Sequence, residues 1–163
     1  PTQWLVDAGM AYYSFNVGAF ELPFPIHENL RLYKLFFVDS GLMCAMMLNG
    51  IQAQVLSGDI DVNEGALTEN YVAGEFAKHG ISLNYYDRKS KHELDFIFPE
   101  KNKISIVEVK SGKDYKQHAS LDMAHSLFAD KINRRIVMSG NNLEIEDGCI
   151  YLPFYMSMFF GCE

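Results

Sequence analysis

Two runs rich in β-branched and aromatic residues, HELDFIF (92–98) and ISIVEVKSG (104–112), constrain the fold of this chain more than any other feature. Only PEKNK separates them, and this segment has the length and chemistry of a hairpin loop. Because side chains alternate along a strand, Glu108 and Lys110 share one face with Ile106, whereas the two valines between these positions face the other side. The sequence therefore predicts an antiparallel strand pair with the second strand buried on both faces.

Glu108 and Lys110 place charge on this otherwise apolar strand. Burying an ionised side chain is costly unless it is paired, bound to a metal or placed at the wet end of the strand. Ser111 and Gly112 end the run, so we expect the two charges at the mouth of the strand. One interpretation is an ordinary ion pair. The other is a site in which the carboxylate holds a divalent cation and the lysine stabilises negative charge.

The first strand of the hairpin supplies another carboxylate. Strict alternation predicts two faces, one with Glu93, Asp95 and Ile97 and the other with Leu94, Phe96 and Phe98. Across the hairpin, Asp95 would then lie beside Glu108, within reach of one metal ion. Mg²⁺ favours sites with one or two carboxylates that are completed by water and phosphate oxygens.

A helix that ends before a glycine is predicted from Glu64 to His79. Helical periodicity places Val72, Ala73 and Phe76 on one buried stripe, together with the carboxylate of Glu69. Glu69 would either turn its head to water at the edge of this stripe or reach the hairpin carboxylates.

The composition indicates one domain with a packed core. The chain has 163 residues, of which 48% are hydrophobic and 13% aromatic. No apolar run approaches the roughly 20 residues that cross a bilayer, and no signal peptide is visible, so no membrane partner is expected. Cys44, Cys149 and Cys162 lack metal-ligand spacing and fit a reducing cytoplasm. A net charge of −7 argues against a general nucleic-acid coat but not against a local basic groove.

Further elements follow from local patterns. The chain opens PTQWLVDAG without an initiator methionine, which we interpret as the tail of a helix from a removed N-terminal part. We expect strands at 10–17, 31–38, 83–88, 134–139, 143–145 and 149–152, helices at 42–48 and within 114–131, loops at 21–29 and 51–63, and an aromatic terminal segment at 153–160. Exposed aromatics of the terminal segment would favour self-association as a homo-oligomer, through Phe154, Tyr155, Phe159 and Phe160.

Basic residues concentrate near the hairpin turns although the chain is acidic overall. They are Arg88, Lys89, Lys91, Lys101 and Lys103, followed by Lys110, Lys113 and Lys116. This grouping predicts either a phosphate-facing rim around the site or solvated hairpin tips.

The order of the acidic residues resembles the PD-(D/E)xK superfamily of restriction-endonuclease-like folds. A helix carries Glu69, a strand carries Asp95, and the next strand carries the ExK of Glu108 and Lys110. The arrangement is similar to that of archaeal Holliday-junction resolvases. One departure is Leu94, which stands where a proline would precede Asp95. The resemblance implies an α/β fold with a restriction-endonuclease-like core, a central mixed sheet flanked by helices.

A narrower resemblance covers almost the whole chain. The runs KLFFVDSGLMCAMML, GALTENYVAGEF, YYDRKSKHELDFIF and VEVKSGKDYKQHASL are similar to the C-terminal domain of a group of bacterial and archaeal AAA-type ATPases. This implies a nuclease-like domain at 31–163, preceded at 1–30 by the remnant of a winged-helix-like segment and a linker. It also implies an ATPase domain in the same full-length chain. No GxxxxGK[ST] motif occurs here, so no ATP site is expected in this part.

Together these features predict a metal-dependent nuclease-like domain that hydrolyses DNA phosphodiester bonds. Asp95 and Glu108 would bind Mg²⁺ or Mn²⁺, with the carbonyl of Val109 as a third protein ligand. Glu69 would assist through water or a second ion, and Lys110 would orient the attacking water and stabilise charge on the phosphate. The alternative is a catalytically silent module, in which the same residues form a paired network and the domain binds DNA or a protein partner for the ATPase.

Overall fold

The computed structural model describes residues 2–46, 64–87 and 92–161. Its helices are α1 (Gln3–Asp7), α2 (Ser40–Met46), α3 (Glu64–Lys78) and α4 (Ala119–Phe128), with 3₁₀ turns at Phe24–Ile26 and Phe154–Phe159. Its strands are β1 (Ala11–Val17), β2 (Glu28–Phe37), β3 (Asn84–Asp87), β4 (Glu93–Glu100), β5 (Lys103–Lys110), β6 (Ile132–Ser139), β7 (Glu144–Glu146) and β8 (Cys149–Pro153). In this part of the chain, no helix is long and apolar enough to cross a membrane.

The described strands form one mixed sheet in the order β2-β1-β3-β4-β5-β6-β8-β7. Strand β6 runs parallel to both β5 and β8, and β1 runs parallel to β3. The other neighbours are antiparallel. Helix α3 covers one face near β2 and β5, and α4 covers the opposite face over β4, β5 and β6. The predicted central mixed sheet with flanking helices is therefore confirmed.

Helix α3 follows the predicted pattern closely. Val72, Ala73 and Phe76 are fully buried against the sheet, as their helical spacing indicated. The chain leaves the helix through Gly80, whose positive φ of 73° a residue with a side chain would adopt only with strain. The helix at 64–79 is thus confirmed to within one residue.

The β4–β5 hairpin is present, but its loop is shorter than predicted. Pro99 and Glu100 belong to β4 and pair with the start of β5. The turn itself consists of Lys101 and Asn102, with positive φ angles of 50° and 61°. Two such residues match the twist of the flanking strands, so the strands continue past the proline.

Alternation along β4 is interrupted, which corrects the predicted faces. Leu94 lies in the same core cluster as Ile97, on the α4 side, whereas Phe96 packs on the α3 side. The cause is a register shift against β3, where Asn84 pairs with Ile97 but Tyr86 pairs with Leu94. The extra residue on β4 forms a β-bulge, and a bulge turns neighbouring side chains to the same face.

The described residues of segment 1–30 contribute a strand and core side chains to the fold, and the domain boundary at residue 30 stays a prediction. Strand β1 lies inside the sheet between β2 and β3, and Val17, Phe20 and Phe24 are buried in the core beneath α4. The described residues of segment 1–30 are therefore part of the same folded unit as the rest. Helix α1 and its stop at Gly9 agree with the expected helix end.

Other predicted elements are present with shifts of a few residues at their ends. The predicted loop at 21–29 is partly structured, because it contains a 3₁₀ turn and the start of β2 at Glu28. The end of the helix at 42–48, the connection at 51–63 and the basic residues at 88–91 lie outside the described residues.

Candidate functional site

An ammonium group lies at the centre of the acidic residues on the α3 side of the sheet. Nζ of Lys34, from β2, is 2.6 Å from Oε1 of Glu69 and 3.7 Å from Oδ1 of Asp95, and it also contacts Oε1 of Glu93. The side chain of Lys34 is 22% exposed, so the cluster opens to solvent at one side. The ring of Tyr85 lies 5.3 Å from Nζ and adds a cation–π contact.

Strand β2 presents Lys34 to α3 because of side-chain alternation. Phe36, two residues further along β2, packs with Val72 and Phe76 of α3, so Lys34 faces the same helix. On the neighbouring strand, Ser14 pairs with Lys34. The hydroxyl of Ser14 is fully buried and has no hydrogen-bond partner among the described residues.

Asn70 sets the position of Glu69 by tying α3 to β2. Its Oδ1 accepts a hydrogen bond from the backbone N–H of Phe37 (2.7 Å), and its Nδ2 donates to the carbonyl of Phe37 (3.0 Å) and to Oγ of Ser40 (3.3 Å). Asn70 is only 2% exposed, so these bonds form in a dry environment, where they hold geometry well. The preceding residue of the helix, Glu69, is thereby held against Lys34.

Glu69, Glu93 and Asp95 offer one oxygen each within 4.8 Å of one another. They come from α3 and from the bulged start of β4. The bulge turns Asp95 toward α3, and its Oδ2 accepts a hydrogen bond from the backbone N–H of Val109 (2.8 Å). One oxygen of Asp95 is thus oriented by the neighbouring strand, and the other faces the acidic group.

The electrostatics of this group agree with its burial. Burial and, after it, the charge of Glu69 raise the pKa of Asp95 to about 7, although Lys34 acts against both. Burial works to lower the pKa of Lys34, but the charges of Glu69 and Asp95 outweigh it and hold that pKa above its ordinary value. The carboxylates therefore stabilise the charged form of Lys34, and Lys34 stabilises the charged form of Asp95.

Glu108 and Lys110 form a separate ion pair. Nζ of Lys110 lies 2.6 Å from Oε1 of Glu108, whose side chain is only 8% exposed, and Oε2 of Glu108 is buried without a hydrogen-bond partner among the described residues. Val107 and Val109 pack on the α3 side, so alternation directs Glu108 to the opposite face. Glu108 does not join the group of three acids.

The charge of Glu108 also raises the pKa of Asp95, and the expected meeting of these two carboxylates at one metal ion stays a prediction. The β-bulge in β4 turns Asp95 toward α3, whereas β5 keeps a regular alternation. Of the predicted site residues, the structure brings together Glu69 and Asp95. Val109 donates its N–H to Asp95, and Lys110 contacts Glu108. The role of the Val109 carbonyl as a metal ligand stays a prediction.

Sequence reasoning missed Lys34 altogether and did not assign Glu93 a role. Lys34 is the one charged residue in the run LYKLFF, and it shares a face with Phe36. A lysine on the buried face of a strand needs an acidic partner, and that requirement is the signal that could have identified it.

The predicted basic rim is divided in the structure. Lys101 lies six residues beyond Asp95 along β4, which separates them by about 20 Å. Lys116 pairs with Glu144 and Glu146 at the far edge of the sheet. Lys110 follows Val109, whose N–H bonds to Asp95, so the backbone of Lys110 lies beside the acidic group.

A comparison with protein families matched residues 64–156 to the family described as domain of unknown function DUF4143. The chain belongs to the DUF4143 family. The matched region begins at α3 and includes Glu69, Glu93, Asp95, Glu108 and Lys110, whereas Lys34 lies before it. The comparison with curated proteins gave no match, and neither did the comparison with solved structures.

Proposed function

We propose that this DUF4143 domain is a divalent-metal-dependent nuclease that hydrolyses DNA phosphodiester bonds. The observation that carries the proposal is the group of Glu69, Glu93 and Asp95, whose oxygens converge within 4.8 Å around the ammonium of Lys34. Groups of carboxylate oxygens with access to water are the ligands that Mg²⁺ and Mn²⁺ prefer.

The chemistry of these residues fits such a metal ion. The three oxygens converge from two elements, and the ammonium already placed among them shows that the site accepts positive charge. The buried hydroxyl of Ser14 offers a further polar group on the same face. A bound Mg²⁺ or Mn²⁺ would supply Lewis acidity and an activated water.

The protein residues divide the remaining tasks. Glu69 and Asp95 would hold the ion together with Glu93, whose oxygen converges with theirs. The N–H of Val109 orients Asp95 and favours its charged form. Lys110 would contact a phosphate of the DNA, with Glu108 positioning its ammonium.

The resemblance to the restriction-endonuclease-like core supports this proposal. The narrower resemblance places the domain in the same full-length chain as an AAA-type ATPase domain, and the cysteine pattern fits a cytoplasmic location. The structure adds a mixed sheet with one helix layer on each face, which agrees with such a core at the level of architecture.

Calorimetric titration with Mn²⁺ tests the metal site. We expect the protein to bind Mn²⁺ weakly and Asp95→Ala to abolish binding, because Asp95 is central to the acidic group. Asp122→Ala is the control, since it removes an aspartate that is 55% exposed on α4 and distant in the fold. No heat of binding in the unmodified protein, or equal loss in both variants, would refute the metal site.

Nuclease activity is tested separately with branched and linear DNA in the presence of Mn²⁺. We expect cleavage by the unmodified protein and its loss in Lys110→Ala, with metal binding retained. Cleavage that persists in both Asp95→Ala and Lys110→Ala would point to a contaminating enzyme and contradict the assignment.

A second function, a catalytically silent binding module, is favoured by one specific observation. Both lysines near the site are already engaged, Lys34 with Glu69 and Lys110 with Glu108, each at 2.6 Å. In that case DNA or a protein partner would bind without any requirement for Mn²⁺, and Asp95→Ala would leave binding of the partner intact.

A further inference from the structure

We propose that Lys34 is a built-in competitor for the metal ion, whose ammonium must leave the acidic group before a divalent cation binds there. The inference rests on the proposed metal site and extends it to the control of metal entry. It makes Lys34, a residue outside the region that defines the family, the determinant of how tightly the site holds metal.

The contacts of Lys34 place its charge where a metal would lie. Its Nζ is 2.6 Å from Glu69 and 3.7 Å from Asp95, and it contacts Glu93 as well. These are the same three residues whose oxygens converge within 4.8 Å. Two cations in this volume would repel each other strongly, because like charges only a few ångströms apart are poorly screened in a partly buried site.

Lys34 has a route out of the site. Its side chain is 22% exposed and that of Glu93 is 44% exposed, so the cluster has a wet side. The lysine stem has four carbons and many rotamers, and an ammonium reaches water by rotation of that stem without a change in the strand.

The surroundings also contain a polar group that the lysine does not satisfy. The hydroxyl of Ser14, paired with Lys34 across β1 and β2, is fully buried and makes no hydrogen bond to the described residues. Ser14 and Lys34 share a face, because directly paired residues of antiparallel strands do so. A hydrated ion in place of the ammonium would bring water within reach of this hydroxyl.

The test is the affinity for Mn²⁺, measured by calorimetry in Lys34→Met and in the unmodified protein. Methionine keeps the length of the stem and removes the charge. We expect Lys34→Met to bind Mn²⁺ tighter by about tenfold or more, because no ammonium has to be displaced. Thermal unfolding gives a second reading, in which Mn²⁺ should raise the melting temperature of Lys34→Met more than that of the unmodified protein.

Lys78→Met is the matched control. Lys78 also forms a 2.6 Å pair with a glutamate, Glu75, but it lies nine residues along α3 from Glu69, or about 13 Å. The substitution changes the net charge equally, so its Mn²⁺ affinity should stay within about twofold of the unmodified protein. An equal gain in Lys78→Met would show a general charge effect and overturn the inference.

A further pair of variants covers the case in which Lys34→Met does not fold. The single variant Glu93→Gln and the double variant Glu93→Gln, Lys34→Met differ only in the ammonium of Lys34. The double variant has the same net charge as the unmodified protein. The double variant should bind Mn²⁺ tighter than the single one. Equal or weaker binding in the variants without the lysine would overturn the inference.

The result also separates this inference from the proposed function. Binding by Lys34→Met, with none by the unmodified protein, would support the inference and refute the metal-dependent activity of the natural domain. Binding by the unmodified protein, with no gain in Lys34→Met, would support the metal site of the proposed function and overturn the inference about Lys34. Absence of binding in every variant would refute both.

Discussion

Asp95 shows how one extra residue in a strand decides which groups meet. By alternation alone it would share a face with Ile97 and approach Glu108. The β-bulge turns it toward α3 instead, where it meets Glu69 and Lys34 and accepts a hydrogen bond from Val109. The acidic group therefore depends on a local irregularity in β4.

The raised pKa of Asp95 gives the stability of the protein a specific pH dependence. Its pKa is 3.8 ordinarily and about 7 in the fold, so between these values the folded state holds more protons than the unfolded one. Stability then falls as pH rises through this window. We expect Asp95→Asn, in metal-free buffer, to become more stable than the unmodified protein by on the order of 2 kcal/mol at pH 8, with the difference vanishing near pH 4.

Urea unfolding at several pH values measures this effect. Asp7→Asn, at the exposed end of α1, is the control for the loss of one carboxylate, and its stability difference should vary much less over the same range. A difference in the free energy of unfolding between Asp95→Asn and the unmodified protein that does not change with pH would show that the fold does not raise the pKa of Asp95.

At the scale of elements, the contact between α3 and β2 builds the site. Packing of Val72 and Phe76 brings the helix onto the sheet, but apolar contacts alone allow sliding. The hydrogen bonds of Asn70 to Phe37 are directional and set the register of the helix against the strand. That register places Glu69 opposite Lys34.

Asn70→Ala should therefore destabilise the fold and disturb the site together. It leaves the N–H and the carbonyl of Phe37 without partners in a partly buried position, so we expect a loss of about 2 kcal/mol in the free energy of unfolding. Thr68→Ala is the control, because Thr68 bonds only within its own helix. Denaturant unfolding measures both, and equal effects would contradict the anchoring role of Asn70.

At the scale of the molecule, the terminal aromatic segment is only partly exposed. Phe160 is buried at 7% exposure and Phe154 packs against the core, whereas Tyr155 is 61% and Phe159 58% exposed. Phe159 also lines a cavity of about 620 Å³ beside Arg134 and Leu152. Self-association therefore stays a prediction that involves two of the four aromatics named from the sequence.

Sedimentation velocity over a range of concentrations checks this prediction. We expect the unmodified protein to show a dimer at high concentration and the double variant Tyr155→Ser, Phe159→Ser to remain a monomer, because exposed aromatic rings favour apolar contact. Leu143→Ser, which removes another side chain that is 57% exposed, should not change the behaviour. A monomeric unmodified protein at every concentration would end the proposal.

Local patterns were sufficient for the strands, the helix at 64–79 and the hairpin, because periodicity and turn chemistry act within a few residues of the chain. The helix stripe of Val72, Ala73 and Phe76 is the clearest case. The same patterns could not place β1 inside the sheet, since strand neighbours that are distant in sequence are chosen by packing of the whole core.

Tertiary structure also decided which residues make up the site, because these residues are distant in sequence and are brought together only by packing of the whole core. Residue type and spacing identified Glu69 and Asp95 as carboxylates with a buried setting. That Glu93 joins this group depends on the tertiary structure at the bulged start of β4. The presence of Lys34 followed from the pairing of β2 with β1 and α3, because a charge finds its partner through the fold and not through its neighbours in the chain.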